Sequence, residues 1–147
     1  MKFLLINGPN LNRLGKREPE HYGTATLADL EAELAETARA SGAELDCFQS
    51  NHEGSLIDEL HRGADEGIDG AILNAGAYTH YSYALRDAIA SVNYPVIEVH
   101  ISNIHARESF REISVIAPVA KGQIAGLGFD GYHLALTALI KMVKGRN

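Results

Sequence analysis

The chain has 147 residues, enough for one domain with a real core and too few for two. Its 46% hydrophobic and 22% charged residues exclude a disordered chain, and a formal net charge of -6 argues against a nucleic-acid partner. Cys47 is the single cysteine, which excludes an intrachain disulfide or a thiolate zinc site within one chain, and no apolar run approaches the length of a membrane span.

In chain order, strand-like and helix-like segments alternate. Residues 3–7 form a continuous apolar run closed by Gly8-Pro9, which predicts a strand buried on both faces; the run is too short for a signal peptide, and a cytoplasmic protein is expected. A long polar connection follows, 8–25, holding Asn10, Asn12, Arg13, Arg17, Glu18, His21 and Tyr22, with Gly15 and Gly23 as possible hinges. Such a length suits a mobile lid, here over about residues 13–25, better than a spacer. Helical periodicity over 26–40 places Leu27, Leu30, Leu34 and Ala38 on one side, with Asp29, Glu31 and Glu33 early, where they favour the helix dipole. Strands are then predicted over 45–48, 70–74, 96–101 and 123–127, and helices over 56–64, from Thr79 as N-cap to about Val92, and over 132–143.

This alternation predicts one α/β domain over 1–147, a flavodoxin-like, doubly wound, five-stranded parallel sheet with helices on both faces. Ligands of such sheets bind outside the carboxyl ends of the strands, which selects 8–23, 74–80 and 100–111 before any chemistry is considered. The first loop is not a nucleotide loop. Gly15-Lys16 is present, but Asn10 occupies the place of the first P-loop glycine and Arg17 that of the Ser or Thr.

Tyr22 is the candidate base. A free phenol has a pKa of about 10, too high for a base at neutral pH, but a neighbouring cation such as Arg17 favours the tyrosinate. A lone loop tyrosine is more often a packing residue. His100 ends the fourth strand with Glu98 two residues back on the same face; a carboxylate beside an imidazole favours its protonated form, which suits a general acid. A hydrogen-bonded strand-end histidine is as common on spacing alone. Arg107 and Arg111, four apart on a short helical stretch, could share a face and grip a carboxylate, or with Glu108 and Glu112 form a solvated charged surface. Asn74 and His80 flank a glycine turn where a polar ligand or simple capping would use them, and Asp87 is expected two turns on from His80.

Together these segments resemble the type II dehydroquinases over nearly the whole chain. The matching stretches are Asn7-Gly8-Pro9-Asn10-Leu11-Asn12, Gly15 to Gly23 through Arg17-Glu18-Pro19 and Tyr22, and Ser50-Asn51-His52-Glu53-Gly54. Further on come Gly76-Ala77-Tyr78-Thr79-His80, Ala84-Leu85-Arg86-Asp87-Ala88, Glu98 through His100 to Glu108, Gly126-Leu127-Gly128 and Gly131-Tyr132. The resemblance implies cofactor-free conversion of 3-dehydroquinate to 3-dehydroshikimate by anti elimination through an enolate, a shikimate-pathway step; quinate breakdown uses the same reaction. It implies Tyr22 as proton acceptor, His100 as proton donor, Arg17 as transition-state stabiliser and Asn10 as oxyanion support. Asn74, His80, Asp87, Ile101, Ser102 and Arg111 would contact substrate, Glu98 and Arg107 would give electrostatic support, and the chains would assemble as a homododecamer, a tetramer of trimers. Ala75 and Tyr81 depart from the family pattern without removing a functional group. The rivals are a lysine Schiff-base mechanism, for which no lysine lies in a predicted strand, and a flavodoxin-like binding module, for which the phosphate signature is missing.

Overall fold

The computed structural model describes residues 1–16 and 19–146, with the backbone alone at 21 and 22. Five strands form one sheet: β1 (Lys2–Asn7), β2 (Glu44–Gln49), β3 (Gly70–Asn74), β4 (Val96–His100) and β5 (Gly122–Ala125). All are parallel, in the order β2-β1-β3-β4-β5. The helices are α1 (Pro19–Tyr22), α2 (Leu27–Ala40), α3 (Glu53–Asp65), α4 (Tyr83–Ser91) and α5 (Asp130–Lys144). The flavodoxin-like, doubly wound architecture expected from the sequence is the one observed.

The alternation of side chains along β1 explains the two layers. Phe3 and Leu5 pack with Leu30, Leu34, Leu136 and Leu139 of α2 and α5, while Leu4 and Ile6 face Leu56, Leu60 and Leu85 of α3 and α4. Each of these fully buried side chains contributes about 1.5–3 kcal/mol by leaving water, so the apolar run of β1 holds both layers together. Chain direction across the sheet switches between β1 and β3, and the crevice at their carboxyl ends is the ligand position expected of the fold.

Several boundaries differ from the sequence expectation for local reasons. α2 starts after Thr26, whose hydroxyl accepts from the Asp29 N–H while the Asp29 carboxylate accepts from the Thr26 N–H, a reciprocal cap. α3 begins at Glu53, three residues ahead of its first buried leucine, Leu56. Thr79 is not an N-cap: it is buried within a 3-10 turn, Gly76–His80, with its hydroxyl 3.5 Å from the His100 ring, and Ser82 caps α4 by accepting from the Leu85 N–H. Arg107 and Arg111 do not share a helix, because Arg107 is extended and Glu108 non-helical between two separate 3-10 turns, Ile104–Ala106 and Ser109–Arg111. Among the described residues, no helix is long and apolar enough to cross a membrane.

The first loop is anchored at its neck. Gly15 has a φ of +84°, and a Cβ there would lie 2.7 Å from the Thr24 carbonyl oxygen, so only glycine lets the two ends of the 15–24 segment touch. Leu14 is buried against the α2 side of the core immediately before this contact.

Candidate active site

The crevice is built where β1 and β3 leave the sheet side by side. Gly8 donates its N–H to the Asn74 carbonyl at 2.7 Å, and a Cβ on Gly8 would meet the Ala75 carbonyl oxygen at 2.8 Å, so a glycine is required for the two chains to run this close. Asn10 follows in the left-handed region, with a φ of +71°. Its N–H donates to Asn51 Oδ1 at 3.0 Å, and Tyr78 donates its hydroxyl proton to the Asn51 carbonyl at 2.9 Å. The strained turn of Asn10 is thereby fixed from two other elements.

At the end of β3, Asn74 Oδ1 accepts from the Gly76 N–H at 3.0 Å and Nδ2 donates to Tyr132 Oη at 2.8 Å. The Tyr132 hydroxyl donates in turn to Asn7 Oδ1 at 2.7 Å. His80 pairs its Nδ1 with the Ile113 carbonyl at 2.9 Å, which requires a proton on Nδ1. The His80 ring lies nearly parallel to that of His100, with centroids 6.5 Å apart, and edge-on to Phe110 at 6.0 Å.

β4 supplies the charged core of the site. Glu98 is fully buried, and its carboxylate receives three hydrogen bonds: His100 Nε2 at 2.5 Å, Gln123 Nε2 at 2.9 Å and Ser114 Oγ at 2.8 Å. Burial acts to raise the Glu98 pKa, but the His100 hydrogen bond and charge, with Gln123 and Ser114, outweigh it and hold the group below the ordinary glutamate value. The buried carboxylate stays ionised beside the imidazole.

These residues surround a cavity of about 140 Å³. An apolar cavity of about 150 Å³ accommodates a benzene ring, so the space is that of one six-membered carbocycle. Asn10, Asn74, His80, His100, Ile101, Ser102, Arg107 and Arg111 all line it, so most of the residues expected at the site are brought together. Among the described residues, the lining holds two arginines and two histidines and no carboxylate, in a chain of net charge -6. That local reversal of charge selects an anionic ligand. Arg111 is oriented by Glu108, with Nη2 to Oε2 at 3.1 Å, and by the Phe110 ring, 4.6 Å below its guanidinium. Arg107 Nη1 donates to Ser102 Oγ at 3.4 Å.

Asp87 does not join this group: it is exposed on α4, and the phase expected from His80 is broken by the turn between them. Arg17 and the Tyr22 side chain lie outside the described residues. Asn7, Asn51, Ser114, Gln123 and Tyr132 were not singled out as site residues from the sequence. Asn7, Asn51 and Tyr132 sit in the stretches that carry the family resemblance; nothing local marks Ser114 or Gln123.

The model of the family described as dehydroquinase class II matches residues 1–140. The chain belongs to the class II dehydroquinases. It is 64% identical over 146 residues to the 3-dehydroquinate dehydratase of Anoxybacillus flavithermus, covering 99% of this chain and 98% of that one. The crystal structure of the type II dehydroquinase from Butyrivibrio crossotus superimposes with a TM-score of 0.93 at 51% identity, over 95% of this chain and 97% of that one. The type II dehydroquinase from Propionibacterium acnes gives 0.92 at 45% identity, over 95% and 96%. As in the other class II dehydroquinases compared, nearly the whole chain takes part in the match.

Proposed function

We propose that this crevice dehydrates 3-dehydroquinate to 3-dehydroshikimate, as a hydro-lyase of the shikimate pathway acting in the cytoplasm. The observation that carries the reading is His100 on the ionised, buried Glu98, at the wall of a cation-lined cavity sized for one ring. Tyr22, as tyrosinate favoured by Arg17, takes the proton from the carbon next to the ketone. The electron pair becomes an enolate whose oxygen is supported by Asn10. The enolate then reforms the ketone and expels the hydroxyl from the far side of the new double bond. His100 supplies the proton with which it leaves as water. Tyr22 gains one proton and His100 loses one, so exchange with solvent restores both.

The geometry supports the role of His100 and of the residues that hold substrate. Glu98 occupies Nε2 of His100, which leaves Nδ1 as the nitrogen for the departing hydroxyl. Asn74, His80, Arg111 and the backbone of Ile101 and Ser102 hold the substrate's carboxylate and hydroxyls, with Arg107 adding positive potential. No lysine lines the cavity among the described residues, which disfavours a Schiff base. Borohydride added with substrate is expected to leave activity intact; a covalent adduct with inactivation would overturn this mechanism.

Exposed Tyr81 and Tyr83 closely follow His80 in the chain, and exposed Phe110 and Ile113 flank Arg111; these side chains support assembly of copies next to the site, with Asp87 of one chain reaching a neighbour's crevice. A homododecamer built as a tetramer of trimers has twelve times the 15.9 kDa chain mass, which sedimentation equilibrium would read. The activity test is the absorbance rise of the conjugated enone product from 3-dehydroquinate. A folded, assembled protein giving no such rise would refute the reading.

A further inference from the structure

We infer that Tyr132 is a positioning residue for the reaction, fixing through its hydroxyl the direction in which Asn74 presents a hydrogen-bond donor to the substrate. The inference rests on the reading that Asn74 contacts substrate.

Asn7 and Asn74 are cross-strand partners at the carboxyl ends of β1 and β3, and Tyr132 reaches them from the first turn of α5. Asn7 and Tyr132 are fully buried and Asn74 is 3% exposed. A phenol has one proton, and here it goes to Asn7 Oδ1. The oxygen's lone pairs are what remain for Asn74, so Asn74 must turn Nδ2 toward it, as observed. Burial pushes the Tyr132 pKa well up, so this proton is not lost at any working pH and the order of donors and acceptors stays fixed.

The amide of asparagine rotates broadly about its last torsion. The Gly76 N–H anchors its oxygen and Tyr132 anchors one Nδ2 hydrogen, which leaves the second Nδ2 hydrogen as the donor for the cavity that Asn74 lines. The site therefore offers a donor at this point, matching a substrate oxygen that accepts. Asn7 Nδ2 is buried without a hydrogen-bond partner, a cost that an apolar trio of the same shape would not carry. A polar chain kept at such a cost points to a role beyond packing. Close approach of α5 to the sheet helps seat the ring, since a Cβ on Gly131 would meet Ile124 Cγ2 at 3.3 Å.

The test compares Tyr132→Phe, Asn74→Ala and the double variant in steady-state assays of the assembled enzyme. Tyr132→Phe keeps the ring and removes the anchor, so KM is expected to rise about tenfold with kcat within about twofold, the pattern of a lost binding contact. The double variant is expected to match Asn74→Ala alone, because Tyr132 acts only through that amide. An unchanged KM in Tyr132→Phe, or losses that multiply in the double variant, would overturn the inference and leave Tyr132 a packing residue. A wild-type KM in Asn74→Ala would instead sink the substrate contact itself. Should Tyr132→Phe not fold, Asn7→Ala carries the test: it frees the phenol proton and should raise KM by a smaller factor, and a wild-type KM there overturns the proposal.

Discussion

The site has two halves of opposite character. One is the carboxyl ends of β1, β3 and β4, where Asn7, Asn74, Glu98 and His100 are buried and hydrogen-bonded to one another or to their supports. The other is the first loop beyond Asn10, where, among the described residues, Asn12, Arg13 and Lys16 are exposed and the backbone hydrogen bonds are local, such as Gly23 N–H to the Pro19 carbonyl at 2.8 Å. The difference separates two needs. A proton donor beside a buried anion must be set before substrate arrives, because ordering charges in a dry site during reaction is costly. Groups proposed to meet the substrate from the solvent side, Arg17 and Tyr22, must instead leave it a way in.

Substitutions in the two halves should therefore differ in what they disturb. The largest expected effect is on the loop side: Tyr22→Phe should lower kcat by about 10³-fold or more, with the melting temperature unchanged. A variant that keeps its activity in the enone absorbance assay would move the base elsewhere. On the strand side, Glu98→Gln sets an amide N–H against donors that all point inward, so activity and stability should fall together. A drop in kcat of about 10²-fold and in melting temperature of roughly 3–10 °C is expected by assay and calorimetry. Loss of activity alone would show that Glu98 is not a structural support of the strand half.

The same carboxylate sets an acid limit. Its folded pKa lies below the ordinary 4.5, so its contribution to stability is complete above that value and disappears as pH falls through the folded one. Thermal melts taken downward from neutrality should show wild type losing its advantage over Glu98→Gln only below about pH 4.5, and a constant gap would contradict the assignment.

Arg111 sits between the halves, since Glu108 and Phe110 orient it from a loop. Arg111→Lys keeps the charge and loses the fork, so KM should rise about tenfold with kcat little changed. The smallest effect is at the base of the loop. Thr26→Ala removes one side of the reciprocal cap and should cost about 1 kcal/mol, seen as a melting shift of roughly 2–4 °C with KM unchanged.

How much of this was legible depends on how far apart in the chain the partners lie. The buried run of β1, the Gly8-Pro9 stop and the two-residue spacing of Glu98 and His100 are local patterns, and each predicted its structure. Thr79 misled because a threonine before an apolar run reads as a cap, whereas its hydroxyl is turned inward toward His100. The arginines misled because four-residue spacing reads as helix, and the extended backbone at Arg107 leaves no local mark. Tyr132 meets partners 58 and 125 positions away, and Gln123 meets Glu98 25 away. No periodicity encodes such pairs; only folding of the sheet brings them together. In the first loop, the chemistry of Tyr22 and Arg17 named a base and its cation but left a packing tyrosine the more common case, and the resemblance decided between them and added the role of Asn10.

The neck at Gly15 and Thr24 has a consequence for how such a protein can diversify. The stretch it closes off leaves and rejoins the body at nearly one point, with Leu14 seated before it and the Thr26 cap behind it. Lengthening or shortening the intervening stretch changes no strand register and no core contact named here. Selection can thus vary this stretch as a cassette while the β4 side of the site, with Glu98 and His100, is inherited untouched.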